Sequence, residues 1–425
     1  MSINRNRPIV PFVEFKIGDF DLTPIPPEML QSFTHTRVLD KGNNFELTVF
    51  DQTALDLGDR IAEGYKDVSF SYGWFGISRS GLYTGMINDY EAVFEAGGAS
   101  LSIIGTTNAM KAHGQSHIRD YRSKDGSEGI LIHKIIEQIA EEEGWILGNV
   151  RRTKPVYCLD SLQFEEPTHK IFRQEGEPST KFIMDKLAEH AISDDTGESG
   201  YILWFDDTRD GTVVNFAPAT YSNRPDREYI FEWNAPRSPV ISFAPRFQGL
   251  VQAMAGKTSR IRAVTVDDVS NDFFEEVYDQ DSNEDREVSG SRTYDATDYN
   301  TIINSSSGSP DEIRRKIAKF YSDASRVSYN AELQIFGDVD IKTFTNISVI
   351  PLTREGIAHH TAGIYMAQSV TDAIEGGSFT STCVLIRNAS RVGESESTGK
   401  EVSTPEETGE DREDFRRNET DPIPI

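Results

Sequence analysis

The chain has 425 residues, a formal net charge of −26 and a hydrophobic fraction of 37%. This length predicts about two or three domains, each large enough for its own core. Because nucleic-acid binding requires a basic surface, the strong negative charge argues against a stable complex with DNA or RNA.

Membrane and redox features exclude further classes of protein. The first residues carry charges without a following apolar stretch, so we expect no signal peptide. No apolar run approaches the roughly 20 residues that cross a bilayer, so no direct membrane anchor is expected. Cys158 and Cys383 lie far apart and outside any metal-binding spacing, and we expect both to be reduced and buried.

The first part of the chain predicts a β unit over residues 1–110. Residues 8–50 mix apolar and polar side chains around several prolines, which predicts strands and loops. From residue 44 onwards apolar and polar residues alternate, as is typical of half-buried strands. Within this unit, residues 53–63 place Leu57 and Ile61 four apart and predict a short helix.

Residues 111–236 predict an inserted α+β domain. Residues 128–143 place apolar side chains on one helical face and are followed by Gly144, a common helix stop. Residues 179–192 show the same helical pattern. Residues 201–216 then predict a β-hairpin around an Asp-Gly turn.

The chain then returns to β structure. Residues 237–266 predict strands shared with the β units on either side. Residues 267–308 are acidic and hold few apolar positions, so we expect a long arm or loop. A capping box that begins at Ser309 predicts a helix, which leads into a second β unit over residues 309–393.

Residues 329–390 repeat the order of signals found in residues 44–109. Each set has two alternating strands, a Gly-apolar-Tyr strand, an Asp, a Gly-Gly turn and a last strand that ends in Asn-Ala. The first set contains Phe45, Leu47, Val49, Val68, Phe70, Tyr72, Gly81-Leu82-Tyr83, Asp89, Gly97-Gly98 and Asn108-Ala109, and the second contains Tyr329, Ala331, Leu333, Ile335, Ile347, Val349, Gly363-Ile364-Tyr365, Asp372, Gly376-Gly377 and Asn388-Ala389. The repeat predicts two related small β-barrels in one chain.

Residues 394–425 predict a disordered acidic tail. From Gly393 onwards the sequence contains eleven acidic and four basic residues, with too few large apolar side chains to fold alone. The tail ends in Asp421-Pro-Ile-Pro-Ile425, an extended apolar end that suits docking to a partner. A tail without any such role is the alternative interpretation.

The second half resembles the baseplate hub proteins of contractile-tailed phages. That family includes late-control-type tail proteins and the hub part of type VI secretion spikes. The resemblance is carried by residues 329–338, 346–349, 363–365 and 376–382, and by order and pattern it extends over roughly 45–390. It rests on no invariant catalytic signature.

The resemblance implies a mainly β fold, with two tail-tube-like antiparallel β-barrels and an inserted α+β domain. It implies a homotrimer of pseudo-six-fold symmetry that joins a hexameric tail tube to a trimeric central spike. The protein would be assembled in the host cytoplasm and reside in the virion, at the tail baseplate. Residues 267–308 and 394–425 would reach other baseplate proteins, and DNA would be present only in transit through the lumen. The Gly-Gly pairs would form tight turns, where bulky β-branched substitutions should block folding or ring closure.

Histidines and acidic residues supply no recognisable catalytic or metal-binding motif. His113 and His117 are four apart but lack the Glu of a metalloprotease helix, and we expect His359-His360 to contact solvent or a neighbour. Residues 279–285 begin like a calcium loop, but Glu284 stands where glycine is required and Gly290 where a bidentate Glu is required.

The other candidate functional residues are explained by turn formation or by packing in the core. Asp206, Asp207 and Asp210 beside Gly211 are interpreted as turn chemistry, and the four tryptophans as core packing rather than sugar binding: Trp74, Trp145, Trp204 and Trp233. We therefore predict no catalytic, cofactor-binding or metal-binding residues, and no enzyme. The alternatives are a tail-associated enzyme that degrades cell wall, a carbohydrate- or receptor-binding tail protein, and another tube adaptor such as a distal tail protein.

Overall fold

A computed structural model describes residues 10–387, apart from 23, 40–41, 52–60, 62–63, 65, 96–97, 109–115, 123–128, 157–170, 198, 209, 219–224, 232–237, 248–259, 267–272, 280–300, 306–328 and 360. The predicted helices at 53–63 and from Ser309, the calcium-like segment from residue 280 onwards and the tail at 394–425 lie outside the described residues, except for isolated positions in the first of them.

Among the described residues, the first β unit contains eight strands: β1 (Pro11–Ile17), β2 (Phe20–Leu22), β3 (Leu30–Val38), β4 (Asn44–Asp51), β5 (Asp67–Trp74), β6 (Ser78–Arg79), β7 (Tyr83–Glu95) and β8 (Gly98–Thr107). In β1 and β8, side chains that face the core are buried and those between them are more exposed, as the alternation predicted. The core that results includes Phe15, Phe33, Phe45, Leu47, Phe70 and Tyr72.

The insertion contains β9 (Ser116–Arg122), α1 (Ile132–Glu143), β10 (Ile146–Val150), β11 (Ile171–Pro178), α2 (Ser179–Phe182, continued as a π-helix over Ile183–Leu187), β12 (Tyr201–Thr208) and β13 (Gly211–Pro218). Its own core is built around the apolar face of α1. Gly144 ends α1 in the left-handed conformation, with φ +70°, as the sequence predicted.

The hairpin of the insertion is confirmed, but its turn lies later than the acidic residues indicated. Thr208 pairs with Gly211, so Asp206 and Asp207 belong to β12 rather than to the turn. Here the side chain of Asp207 accepts a hydrogen bond from Asn43 Nδ2 at 3.2 Å, and that of Asp206 accepts one from Asn215 Nδ2 at 3.1 Å. Strand pairing therefore governs these two residues, not turn chemistry.

The remaining strands are β14 (Arg227–Phe231), β15 (Val240–Phe247), β16 (Arg260–Val266), β17 (Phe273–Asp279), β18 (Thr301–Ser305), β19 (Tyr329–Phe336), β20 (Asn346–Pro351), β21 (Gly363–Glu375) and β22 (Ser378–Arg387). Strand β16 pairs with β17 and β18 in a separate three-stranded sheet. The interval 267–308 thus contains two paired strands, a correction to the expectation of an arm or loop throughout, and residues 260–266 are not shared with the large sheet.

The duplication extends to the pairing of six strands on each side. The order is β3-β4-β8-β7-β5-β1 in the first unit and β15-β19-β22-β21-β20-β14 in the second. Register shifts occur at matching places: between Leu30 and Ser32 and between Val240 and Ser242, and again between Ile87 and Asp89 and between Ala367 and Ser369. One difference is that β1 is antiparallel to β5, whereas β14 is parallel to β20.

These pairings correct the alignment read from the sequence. Strands β7 and β21 both have 13 residues, and β8 and β22 both have 10, with Glu95 and Glu375 at corresponding hairpin ends. Asp89 therefore corresponds to Ser369 and not to Asp372, and Tyr83 corresponds to Gly363. The sequence comparison missed this because a period of two residues fits several registers equally well.

The two β units are joined within one 14-stranded sheet, where β21 pairs with β3. The second unit has its own core around Leu333, Ile335, Ile347, Val349 and Tyr365. The fold class predicted from the sequence, mainly β with an inserted α+β region, is confirmed. The domain boundaries themselves remain a proposal.

Candidate assembly site

The pairing of β21 with β3 forms a seam between the two β units. It runs antiparallel from Ser369 opposite Val38 to Glu375 opposite Ser32. Alternation along both strands directs one set of side chains into the interior: Val370, Asp372, Ile374, Phe33, His35 and Arg37. All six are buried, and half of them are polar or charged.

A buried carboxylate lies at the centre of the seam. Oδ2 of Asp372 accepts hydrogen bonds from Arg37 Nη2 at 2.5 Å and from Tyr72 OH at 2.6 Å. Its other oxygen, Oδ1, accepts one from Ser381 Oγ at 2.5 Å. Because Arg37 and Tyr72 come from the first unit and Asp372 and Ser381 from the second, this one carboxylate ties the two units together.

Aromatic side chains surround this ion pair. Arg37 Nη1 donates to Tyr83 OH at 3.3 Å, and the rings of His35 and Tyr83 are in edge contact with centroids 4.4 Å apart. The Nδ1 atom of His35 lies 3.0 Å from Tyr72 OH. Since Tyr72 donates its proton to Asp372, the geometry assigns the proton of His35 to Nδ1, which donates to Tyr72.

The charges in this cluster follow from its burial. Desolvation lowers the pKa of His35 well below its ordinary value of 6.5, and the nearby positive charge of Arg37 acts in the same direction, so His35 is neutral. Burial also raises the pKa of Asp372, while Arg37 and the hydrogen bonds from Ser381 and Tyr72 oppose that rise. For Arg37 itself, burial acts to lower the pKa, but Tyr72 and Asp372 outweigh it and raise the pKa.

The arrangement joins the two units, because Arg37 and Tyr72 of the first unit both donate hydrogen bonds to Asp372 of the second. No histidine stands between a carboxylate and a nucleophile in this cluster, and its side chains are closed off from solvent. Buried ion pairs contribute little net stability compared with an apolar core, but breaking one partner is costly. In the observed register Arg37 and Asp372 point to the same face and pair, and a shift of one residue between β3 and β21 would separate them.

The insertion packs across the seam through a small shared core. Leu39 of the first unit and Met366 and Ile386 of the second contact Ile202, Trp204 and Ala217 of the insertion. The ring of Phe344 stacks on Trp204, with centroids 4.0 Å apart. Phe344 has φ +69°, an uncommon left-handed conformation for an aromatic residue, which this packing holds in place.

The histidines singled out by spacing have ordinary partners where they are described. His117 Nε2 lies 2.9 Å from Oε1 of Glu143, which also contacts Arg119 Nη1 at 3.1 Å and Ser179 Oγ at 2.7 Å. The Nδ1 atom of His359 lies 2.9 Å from Thr361 Oγ1. His113 and His360 lie outside the described residues.

Three of the tryptophans are placed, and they pack as predicted. Trp74 donates to the carbonyl of Gly337 at 2.8 Å, Trp145 is in edge contact with Phe205, and Trp204 stacks as described above. Trp233 and Cys158 lie outside the described residues. Cys383 is buried and free, and burial raises the pKa of its thiol to about 12.

The described residues contain neither a candidate metal site nor a membrane-spanning helix. Within them, no group of three or more His, Cys, Asp or Glu side chains is arranged to hold a metal ion. None of the helices in the described ranges has the length and apolar character needed to cross a membrane.

Solved structures similar to this chain include tail proteins and a component of a secretion system. A tail protein from Neisseria meningitidis MC58 aligns with a TM-score of 0.57 and 12% identity, over 89% of this chain and 97% of its own. The 43 kDa tail protein of prophage MuSo2 from Shewanella oneidensis aligns with a TM-score of 0.56 and 13% identity, over 89% of this chain and 98% of its own. A component of the type VI secretion system of E. coli aligns with a TM-score of 0.49 and 11% identity, over 89% of this chain and 77% of its own.

Sequence comparison alone finds less. No protein-family model matches the chain, and no curated protein matches it. The likeness is therefore one of fold, extending over nearly the whole length of the two tail proteins. The predicted resemblance to tail proteins is confirmed at that level: the chain has the fold of phage tail proteins.

Proposed function

We propose that the chain is the baseplate hub of a contractile phage tail or of a related injection machine. The observation that carries the proposal is the duplication of a six-stranded pairing order within a chain that has a phage tail fold. A structural role in the tail accounts for both features, whereas neither requires a catalytic centre.

The duplication answers a problem of symmetry. A chain with two similar units, joined within one sheet by the pairing of β21 with β3, would act as two adjacent subunits of a ring. Three copies would present six similar units around the axis, which suits a six-fold tube on one face and a three-fold spike on the other. The homotrimer and its pseudo-six-fold symmetry are part of this proposal.

Partners follow from the same arrangement. We infer that one face binds the last hexamer of the tail tube and the other binds the central spike protein. The insertion at 111–236 would lie outside the ring, and the segments 267–308 and 394–425 would contact other baseplate proteins. With a net charge of −26, DNA would slide through the lumen without adhering. The protein would be assembled in the host cytoplasm and reside in the tail baseplate of the virion.

The duplication also separates the hub from a distal tail adaptor. An adaptor with a single barrel per chain would form a true hexamer, but this chain contains two related units. The wall-degrading enzyme keeps no specific support, since the described part of the insertion offers an ion-pair cluster around Glu143 rather than a recognisable catalytic arrangement.

Imaging tests the proposal. Purified protein should be examined in negative stain and averaged without imposed symmetry, with native mass spectrometry to count chains. We expect three-fold particles with six similar lobes around a central hole. Six-fold rings with one lobe per chain would contradict the proposal. A chain that remains monomeric even with tube and spike proteins present would also contradict it.

A further inference from the structure

The seam is formed by β21 of the second unit and β3 of the first. Their counterparts in the duplication are β7 of the first unit and β15 of the second, and among the described residues these two strands do not pair with each other. Residues 369–375 of β21 pair with β3, whereas the corresponding residues 89–95 of β7 pair only with β8 among the described residues. Strand β3 pairs with both β4 and β21, whereas its counterpart β15 pairs only with β19 in the described part of the chain. Within the described residues, two edges thus remain unpaired, one on each unit.

Side chains on these open edges are apolar where burial would be expected. On β7, Tyr90 and Phe94 lie opposite the buried Ile103 and Ala99 of β8, so they face the core side of the sheet. Yet Tyr90 is 40% exposed and Phe94 is 71% exposed. Their counterparts at the seam, Val370 and Ile374, are 0% and 1% exposed. A long edge strand with exposed aromatic side chains is a site for pairing with another chain.

We propose that β7 of one copy pairs antiparallel with β15 of a neighbouring copy, in the register of the seam. Carrying the register of β21 on β3 over to β7 and β15 places Glu91 opposite Arg246, Val93 opposite Ala244 and Phe94 opposite Phe243. The occupant of each open edge is therefore a second copy of this chain. This inference rests on the proposed function, in which the copies form a ring.

Chemistry across the two edges is complementary. Glu91 and Arg246 are both exposed in the single chain, carry opposite charges and come directly opposite each other in this register. At the seam, the same two positions are occupied by Thr371 and Thr36, whose hydroxyls lie 3.2 Å apart. On the core side, Phe94 would be covered by Phe243, which already packs against the core of the second unit.

The pairing is head to tail, because each copy offers a different edge to each neighbour. Such contacts either close into a ring or continue as an open filament. The register alone does not fix the number of copies, and the closure at three comes from the proposed function.

Pro245, which has no amide hydrogen, is the one residue of the described β15 that cannot donate a backbone hydrogen bond.

Cross-linking at one pair of opposite positions tests the register. The double variant Val93→Cys with Ala244→Cys is prepared in the full chain with Cys158→Ser, oxidised, and analysed by denaturing electrophoresis without reductant. Directly opposite residues on antiparallel strands lie close enough for a disulfide or a short thiol-reactive cross-linker. The matched control is Val93→Cys with Ile241→Cys, in which the second cysteine is also exposed but lies three positions out of register.

We expect covalent species that end at the trimer for the in-register pair, and their loss in the control and in each single-cysteine variant. Native trimers without any cross-link from the in-register pair would overturn the inference and leave the proposed hub intact. A ladder that continues past the trimer would support the strand pairing and contradict the closure at three. A second measurement covers a variant that fails to fold: Glu91→Arg should weaken oligomer formation, and adding Arg246→Glu should restore it. No rescue by the second change would count against the register.

Discussion

The seam inside the chain and the two open edges occupy corresponding positions in the duplicated sheets, yet they are filled by different chemistry. At the seam, Asp372 and Arg37 form a buried ion pair tied to both units. On β7, the positions corresponding to Val370, Asp372 and Ile374 are Tyr90, Ala92 and Phe94. Within one chain, a polar cluster can select the register as the sheet folds. In the proposed pairing between chains, burial of aromatic surface would drive association, and no buried charge would have to be desolvated.

The largest expected effect comes from removing the charge at the seam. Asp372→Ala leaves Arg37 buried without its partner, and we expect a loss of about 3–5 kcal/mol in the free energy of unfolding. Asp89 provides the control. The sequence repeat aligned it with Asp372, whereas in the structure it is exposed on the edge strand β7. Asp89→Ala should change stability by less than about 0.5 kcal/mol.

Denaturant unfolding, followed by tryptophan fluorescence, measures both variants. Equal losses for Asp372→Ala and Asp89→Ala would show that the ion pair has no special role at the seam.

The next comparison separates folding from assembly. Ile374 is buried at the seam, so Ile374→Ala should destabilise the single chain by about 2–5 kcal/mol. Phe94 is its counterpart on the open edge, so Phe94→Ala should leave the stability of the single chain within about 0.5 kcal/mol and weaken oligomer formation.

Unfolding at low protein concentration and native mass spectrometry at high concentration report the two effects separately. If the Phe94→Ala variant assembles as well as the unaltered chain, the open edge of β7 does not take part in assembly.

The smallest expected effect is a pH dependence that arises at the seam. The folded chain holds His35 neutral because burial lowers its pKa, whereas the unfolded chain takes up a proton near pH 6.5. The unfolded state therefore binds more protons below that pH, and His35 reduces stability as the pH falls from 7 to 5, by up to about 1.4 kcal/mol per pH unit. Asp372 acts in the opposite sense, because burial raises its pKa. Arg37, Tyr72 and Tyr83 also face His35 but do not titrate in this range.

Comparison with His35→Gln isolates this contribution. The variant should show a shallower loss of stability between pH 7 and 5 than the unaltered chain. His133 lies in α1 of the insertion and burial also lowers its pKa, so it contributes to the same slope, and His133→Gln measures that share away from the seam. A slope unchanged by His35→Gln would place the proton uptake elsewhere.

Periodicity in the sequence predicted the repeated strands, because alternation along Phe45, Leu47 and Val49 and along Ala331, Leu333 and Ile335 reports a buried face directly. It also predicted the helix that ends at Gly144, where an apolar helical face and a stop signal coincide. Strands β17 and β18 were missed because the acidic and polar residues between them dominate the composition of 267–308, although β17 itself contains Phe273, Phe274, Val277 and Tyr278.

The seam and its register lay beyond sequence reasoning for a different reason. The register shifts next to Gln31 and Asn88 are single-residue insertions in the ladder, and a pattern with a period of two does not reveal them. Arg37 and Asp372 are 335 positions apart, and nothing in either local pattern indicates that they meet. The one available signal was a charged residue at an inward-facing position of an alternating strand, which predicts a buried partner.

A cryo-electron microscopy map of the purified oligomer, calculated without imposed symmetry, tests the central claim most directly. The account predicts three chains in a ring, with β7 of each chain hydrogen-bonded to β15 of the next and Glu91 opposite Arg246. A ring in which these two edges remain unpaired, or in which other strands join the copies, would contradict it.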